Sequence, residues 1–239
     1  MAKSGKHFHF KRFSIAHDRS TMKVGTDGVL LGAWADVSGA TRLLDIGTGT
    51  GVIALMLAQR SAENAHIDAL EIEQADAQQA RENVKASPWP DKVSVFHSAL
   101  QNFDSAELYD TIVSNPPYFI QSYLPPDQRR KHARHDLSLN FDDLIAGVAR
   151  LLKRDGKFSV ILPVTEGTRF IELASARKFF LLRRCDFRSR KEKPVERILL
   201  EFSYHQPTSL QEDELILYES GEVWTPAYRG LTRDFYLHI

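Results

Sequence analysis

The chain has a single cysteine, Cys185, no excess of either charge, and no apolar run approaching the roughly 20 residues that a membrane-spanning helix needs. Each scarcity excludes something. One thiol leaves no disulfide within the chain and no cysteine-rich metal site, so Cys185 is expected to be a structural thiol in a strand. Met1 to Arg12 lacks the apolar core of a signal peptide. With no membrane span either, a cytoplasmic location is expected, with no membrane partner. The 31 basic and 31 acidic residues cancel to a formal net charge of 0. Any polyanion must therefore be held by local patches rather than by a general positive field. There is no Gly-x-x-x-x-Gly-Lys-Ser/Thr, which speaks against a P-loop ATPase, and no internal repeat or low-complexity tract.

What is present suffices for one large α/β domain: 239 residues, 43% hydrophobic and 26% charged. Phe8 to Ile15 partly alternates apolar with polar and predicts a strand or hairpin. Val29 to Trp34 predicts a helix with Thr26 or Asp27 as its cap. From Thr41 onward strands and helices alternate. Strands are predicted over residues 42–46, 65–71, 93–96, 109–114 and 156–162, and helices over 52–59, 74–85, 141–152 and 170–176. Residues 179–184 and 197–204 are expected to pair antiparallel and close the sheet. Repeated β–α units imply a parallel sheet with helices on both faces. The expected organisation is a single domain over 1–239. It comprises a strand-plus-helix extension (1–40), a core (41–205) and a C-terminal extension (206–239).

Two motifs carry chemistry. In the first, Leu43-Leu44-Asp45-Ile46-Gly47-Thr48-Gly49-Thr50-Gly51, a strand enters a glycine-rich turn and then a helix. Such a turn aims backbone N–H groups and the positive end of a helix at a ligand. A bare glycine loop is a weak signal. Asp45 sharpens it, because a carboxylate there suits the ammonium of an amino-acid-like ligand and would repel a pyrophosphate. Glu71 sharpens it again. It ends the following strand, about 20 residues on, where an acid can accept both ribose hydroxyls. Together they describe an adenosine-type ribose carrying an amino-acid tail.

The second motif is Asn115-Pro116-Pro117-Tyr118, at the carboxyl end of the fourth predicted strand. An amino nitrogen conjugated to a ring or carbonyl is a poor nucleophile. The Asn115 side-chain oxygen and the Pro116 carbonyl can accept both of its hydrogens, favouring a pyramidal nitrogen and relieving the positive charge that grows as it attacks. The prolines hold those carbonyls rigidly. Tyr118 offers a flat face for stacking.

These motifs resemble the class I methyltransferases with an Asn-Pro-Pro-Tyr signature, which act on adenine N6, guanine N2 or glutamine N5. Met22 to Trp34, Ala133-Arg134-His135 and Leu231 to Leu237 extend the similarity to bacterial tRNA adenine-N6 methyltransferases, which modify the adenine 3′ of the anticodon in a valine tRNA. The resemblance implies a Rossmann-like fold, a seven-stranded mostly parallel sheet with an antiparallel last strand. It also implies S-adenosyl-L-methionine as cofactor and tRNA as partner. It assigns Asp45, Gly47, Gly49, Gly51, Glu71, Ile72 and Asn115 to the cofactor, with Lys23 and Thr26 over it and Ser98 and Ala99 near its adenine. Many relatives carry an acid where this chain has Ser98, so a backbone carbonyl is the alternative acceptor for the adenine amino group. Asn115, Pro116, Pro117 and Tyr118 would hold the target base.

Three basic clusters offer phosphate contacts: Lys11 and Arg12 near the N-terminus, Arg129, Arg130, Lys131, Arg134 and His135 after the second motif, and Arg190, Lys191 and Lys193 within a run from Arg183 to Arg197. Phe119 or Tyr123 can stack on a neighbouring base. The pairs His7/His9 and His132/His135 have no further ligand at convincing spacing, so no metal is expected, and no obligate protein partner. Three alternatives stay open. A glutamine N5-methyltransferase of a translation factor usually carries an N-terminal helical bundle, and a guanine N2 rRNA methyltransferase a duplicated domain. A non-catalytic RNA-binding module would have little reason to keep both motifs.

Overall fold

The computed structural model describes residues 7–18, 23–117 and 139–238. The chain opens with an antiparallel hairpin of β1 (His7–His9) and β2 (Ser14–Ala16), in which Phe8 pairs with Ile15. Helix α1 (Thr26–Trp34) follows. Its cap is Gly25, and neither Thr26 nor Asp27 serves as one. The expected Asp27 cap is instead a first-turn carboxylate, suited to the positive helix end, with Arg197 Nε 2.7 Å away.

The core then alternates: β3 (Arg42–Ile46), α2 (Val52–Arg60), β4 (His66–Glu71), α3 (Gln74–Lys85), β5 (Val93–His97) and β6 (Tyr109–Ser114). After it come α4 (Phe141–Leu151), β7 (Leu152–Leu162), α5 (Val164–Ala176), β8 (Phe180–Arg188) and β9 (Arg197–Ser203). The C-terminal segment adds β10 (Gln211–Ile216), the small ribbon β11 (Tyr218–Ser220) and β12 (Val223–Trp224), and α6 (Pro226–Thr232).

The main sheet has the order β10-β8-β9-β7-β6-β3-β4-β5. Among the described strands of this sheet only β9 runs antiparallel to its neighbours, as expected of the last core strand. The expectation of seven strands is corrected to eight, because β10 pairs in parallel with β8. Hydropathy could not announce β10. Its first four residues, Gln211-Glu212-Asp213-Glu214, are polar and exposed. One ion pair and one apolar residue support the pairing: Glu214 lies 2.5 Å from Arg188, and Leu215, opposite Phe187, is buried in the core.

Successive strand residues face opposite sides of the sheet. Leu43, Val113, Ile161 and Leu199 pack with α1, α2 and the terminal segments. Leu44, Ile112, Val160 and Leu200 pack with α4 and α5. Cys185 is buried in β8, and burial pushes its thiol up to about 12, the behaviour of an inert structural thiol. Among the described residues, no helix is long and apolar enough to cross a membrane.

Candidate active site

Register builds the site. Ile46, the last residue of β3, pairs with Leu70 on one side and Ser114 on the other. Glu71 pairs with His97. The strands therefore end in line, and Gly47, Ile72, Ser98 and Asn115 emerge at one edge of the sheet. Ser114 Oγ donates to the Ile46 carbonyl at 3.0 Å, tying the strand that carries Asn115 to the strand that carries the glycine loop. Sequence reasoning did not single out Ser114. Its signal was a hydroxyl at the end of an otherwise apolar, buried strand.

The loop doubles back sharply. The Gly47 and Thr48 amides both donate to the Leu70 carbonyl, at 2.9 and 2.8 Å. Gly47, Gly49 and Gly51 have φ of 74°, 55° and 85°, a region that favours glycine. A methyl at Gly47 or Gly49 would meet no heavy atom within 4 Å, so both line open space. At Gly51 it would come 3.4 Å from Ala80 Cβ, so this glycine lets α2 start against α3.

Asp45 is wholly buried beneath the loop. Its Oδ2 accepts the Thr48 hydroxyl at 2.6 Å and the Ala54 amide at 3.1 Å. Its Oδ1 is buried without a hydrogen-bond partner among the described residues. Burial pushes the carboxyl up to about 7, against those two hydrogen bonds and with the help of the nearby Glu71 charge. Thr48 is thus a positioning residue that the motif did not flag. Glu71 is buried at the end of β4 and accepts the Gly49 amide at 2.8 Å and the Glu73 amide at 2.9 Å. Burial raises its pKa too, outweighing those amides, and Asp76 adds to the rise. Two carboxylates thus stand beneath and beside the loop, and their charge and spare acceptor capacity favour a cationic ligand rich in O–H and N–H donors over a phosphate.

Beyond Glu71, the Ser98 amide donates to the Glu71 carbonyl at 3.0 Å, and the Ser98 hydroxyl to the Ala99 carbonyl at 3.0 Å. The Ile72 carbonyl accepts from His97 Nε2 at 3.0 Å. Lys23 and Thr26 are exposed at the start of α1. That start lies against the start of α2, since a methyl on Gly28 would sit 3.4 Å from Val52. Asn115 is half-buried, Pro116 buried and Pro117 exposed. Tyr118, Phe119, Tyr123, Arg129, Arg130, Lys131, His132, Arg134 and His135 lie outside the described residues.

The described basic clusters are partly consumed by internal contacts. Lys11 Nζ donates to the Arg233 carbonyl at 2.5 Å, and the Arg12 guanidinium lies 5.1 Å over Trp89. In the 183–197 run, Arg183, Arg184, Arg188 and Arg197 pair with Glu201, Asp186, Glu214 and Asp27. Lys191 and Lys193 remain exposed. Arg190 donates to the Gly221 carbonyl at 2.6 Å and lies over Tyr218.

Comparison with known proteins agrees with this architecture. Residues 25–171 match the methyltransferase small domain family. A protein of Bacteroides thetaiotaomicron named tRNA1(Val) (adenine(37)-N6)-methyltransferase is 45% identical, over 97% of this chain and 98% of its own length. One of the same name from Tolumonas auensis is 43% identical, over 98% of each. Among solved structures, a predicted O-methyltransferase from Agrobacterium tumefaciens superposes with a TM-score of 0.67 at 19% identity, covering 87% of this chain and 96% of that one. At that identity it speaks for the fold alone, the class I methyltransferase fold. The chain belongs to the methyltransferase small domain family and, within it, to the group of these tRNA1(Val) (adenine(37)-N6)-methyltransferases.

Proposed function

We propose that the protein moves the methyl group of S-adenosyl-L-methionine to N6 of an adenine in tRNA, the adenine 3′ of the anticodon of a valine tRNA. The observation that carries the reading is the Ile46–Ser114 pairing, which sets Asn115-Pro116-Pro117 beside the glycine loop. The names of the relatives supply the nucleic acid and the base.

The residues fit the cofactor. The unpartnered Asp45 Oδ1 suits an ammonium, directly or through water. Each Glu71 oxygen keeps a lone pair after its amide and can accept a ribose hydroxyl. The open space at Gly47 and Gly49 admits a ligand close to the backbone. The cofactor supplies a methyl group already activated on a sulfonium. Asn115 Oδ1 and the Pro116 carbonyl accept the two N6 hydrogens and localise the lone pair; Tyr118, outside the described residues, has the side chain that would stack on the adenine. Positioning of the acceptor nitrogen by these residues would provide much of the rate. Neither acceptor is a base, so the proton released after transfer passes to water. The work proceeds among tRNAs in the cytoplasm.

The test is incubation with labelled S-adenosyl-L-methionine and total RNA from a strain lacking the protein, followed by nucleoside mapping. Label in N6-methyladenosine of a valine tRNA is expected. Label found only in protein, or only in guanine, overturns the proposal.

A further inference from the structure

A cavity of about 490 Å³ lies between the N-terminal hairpin, the start of α1 and the C-terminal segment. Its walls are aromatic, formed by Phe8, Tyr218, Trp224, Tyr228 and Tyr236, and Thr26 borders it. The rings brace one another. Trp224 lies 5.2 Å from Tyr228 and 5.1 Å from Tyr236, and the Tyr228 and Tyr236 hydroxyls meet at 3.3 Å. The cavity's volume falls within the range of ordinary ligand sites.

Its place in the sheet matters. Strands β8 and β10 run parallel to β6 and β7, so Arg188 and Ile216 end at the edge from which Asn115 emerges. The Leu217 and Tyr218 amides donate to the Arg188 and Ser189 carbonyls, both at 3.0 Å, and carry the C-terminal segment past that edge. Tyr218 also carries the half-buried Arg190 over its ring at 5.2 Å. Lys191 and Lys193 are exposed in the same turn. Flat π-faces beside a cluster of cations are what an unstacked nucleotide needs, rings for its base and cations for its phosphates. The carboxylate cradle of Asp45 and Glu71 has the opposite chemistry, and the start of α1 stands between the two.

We propose that this cavity takes a second base of the substrate RNA, unstacked from beside the adenine that is methylated, with Arg190, Lys191 and Lys193 on its phosphates. The inference rests on the tRNA reading above and adds to it a site that the target adenine does not occupy. Tyr218 is its central binding residue, because it joins the aromatic wall to the basic turn.

The test uses the full chain and an anticodon stem–loop RNA of a valine tRNA, intact or with one loop nucleotide at a time made abasic. Stacking on one aromatic ring is worth about 1–3 kcal/mol per base, so Tyr218→Ala is expected to raise KM for the RNA by about 10-fold. Tyr218→Phe, which keeps the ring, should stay within about twofold of wild type, and the Kd for S-adenosyl-L-methionine should be unchanged in both. One abasic position should weaken the wild type to the same extent and leave Tyr218→Ala no worse, since one contact cannot be lost twice. An unchanged KM in Tyr218→Ala, losses that multiply at every abasic position, or a loss confined to the cofactor Kd overturns the inference while the tRNA reading stands. Failure of the wild type to methylate any RNA overturns both, and is seen before any variant is made.

Discussion

Replacing Asp45 with Asn tests the cradle most directly, because the empty protein and the cofactor complex should respond in opposite directions. Asp45 is wholly buried, and burial raises its carboxyl from 3.8 to about 7. The sign follows from linkage: a group whose folded pKa lies above its unfolded value binds more protons when folded. Its contribution to stability is therefore complete below pH 3.8 and is lost as pH rises to about 7. At 1.36 kcal/mol per unit, the full loss is on the order of 4 kcal/mol, of which about 2 kcal/mol falls between pH 5 and pH 7. Asparagine cannot ionise, yet its oxygen can still accept the Thr48 hydroxyl and the Ala54 amide. Asp45→Asn should therefore be more stable than wild type at pH 8, and the gap should narrow toward pH 5. Urea melts of the cofactor-free proteins at the two pH values measure this. In a chain of this length each kcal/mol is worth about 2–4 °C in Tm. Added S-adenosyl-L-methionine should work against that gap, closing most of it at pH 8 and reversing the order at pH 5. At 100 times Kd it stabilises wild type by about 2.7 kcal/mol, whereas the variant offers the ammonium no charge. Parallel pH profiles for the two proteins would refute the buried-charge account. Equal stabilisation by cofactor would refute the assignment of Asp45 to the ammonium.

Asn115→Ala should lower kcat by ~100-fold or more, as loss of a transition-state hydrogen-bond acceptor does. Isothermal titration should still find S-adenosyl-L-methionine binding, and equal collapse of both would remove Asn115 from its role. Gly49→Ala places a methyl in the open cradle at φ 55°, so backbone strain of about 1–2 kcal/mol should come with at least a tenfold loss of cofactor affinity. Gly39→Ala, at φ 71° in the turn before β3, is the control for strain alone and should bind cofactor normally. Gly32→Ala would bring a methyl to 2.7 Å from Met56 Sδ where α1 crosses α2. Overpacking there should cost about 1–3 kcal/mol, read as a lower urea midpoint at unchanged slope.

The core of the fold was legible because its signals are local. An apolar strand running into Gly47-Thr48-Gly49 announces a turn, with Asp45 one residue before the end of β3 and Glu71 at the end of β4. The C-terminal additions were not legible, because their signals are pairwise. β10 reads as a polar loop until its acids are set beside the arginines of β8. The run from Arg183 to Arg197 reads as a phosphate-binding stripe until four of its arginines are given partners from β9, α1, β8 itself and β10. The cap of α1 was misread for a related reason. Thr26 and Asp27 are good cap types by propensity, yet both lie inside the first turn, and Asp27 faces Arg197, which arrives from a strand 170 residues later.

This pairing bears on how a chain with no net charge can serve a polyanionic substrate. If the whole run from Arg183 to Arg197 stayed unpaired, phosphate would be attracted equally to the sheet edge and to its flank. The acids of β10 and α1 neutralise Arg188 and Arg197, while the turn between them keeps Lys191 and Lys193 in solvent and Arg190 over Tyr218. Unpaired positive charge at the edge where Asn115 emerges is thereby confined to the tip of that turn. On the proposed reading, the clamp supplies chemistry that any conjugated amine would satisfy. The choice of RNA falls to the segments outside the repeated β–α units: the N-terminal hairpin, the turn after β8 and the strand-and-helix tail that brings Tyr218, Trp224 and Tyr236 to the same edge. Exchanging those segments between relatives should move substrate preference while leaving cofactor affinity untouched, because none of them supplies a group to the Asp45–Glu71 cradle.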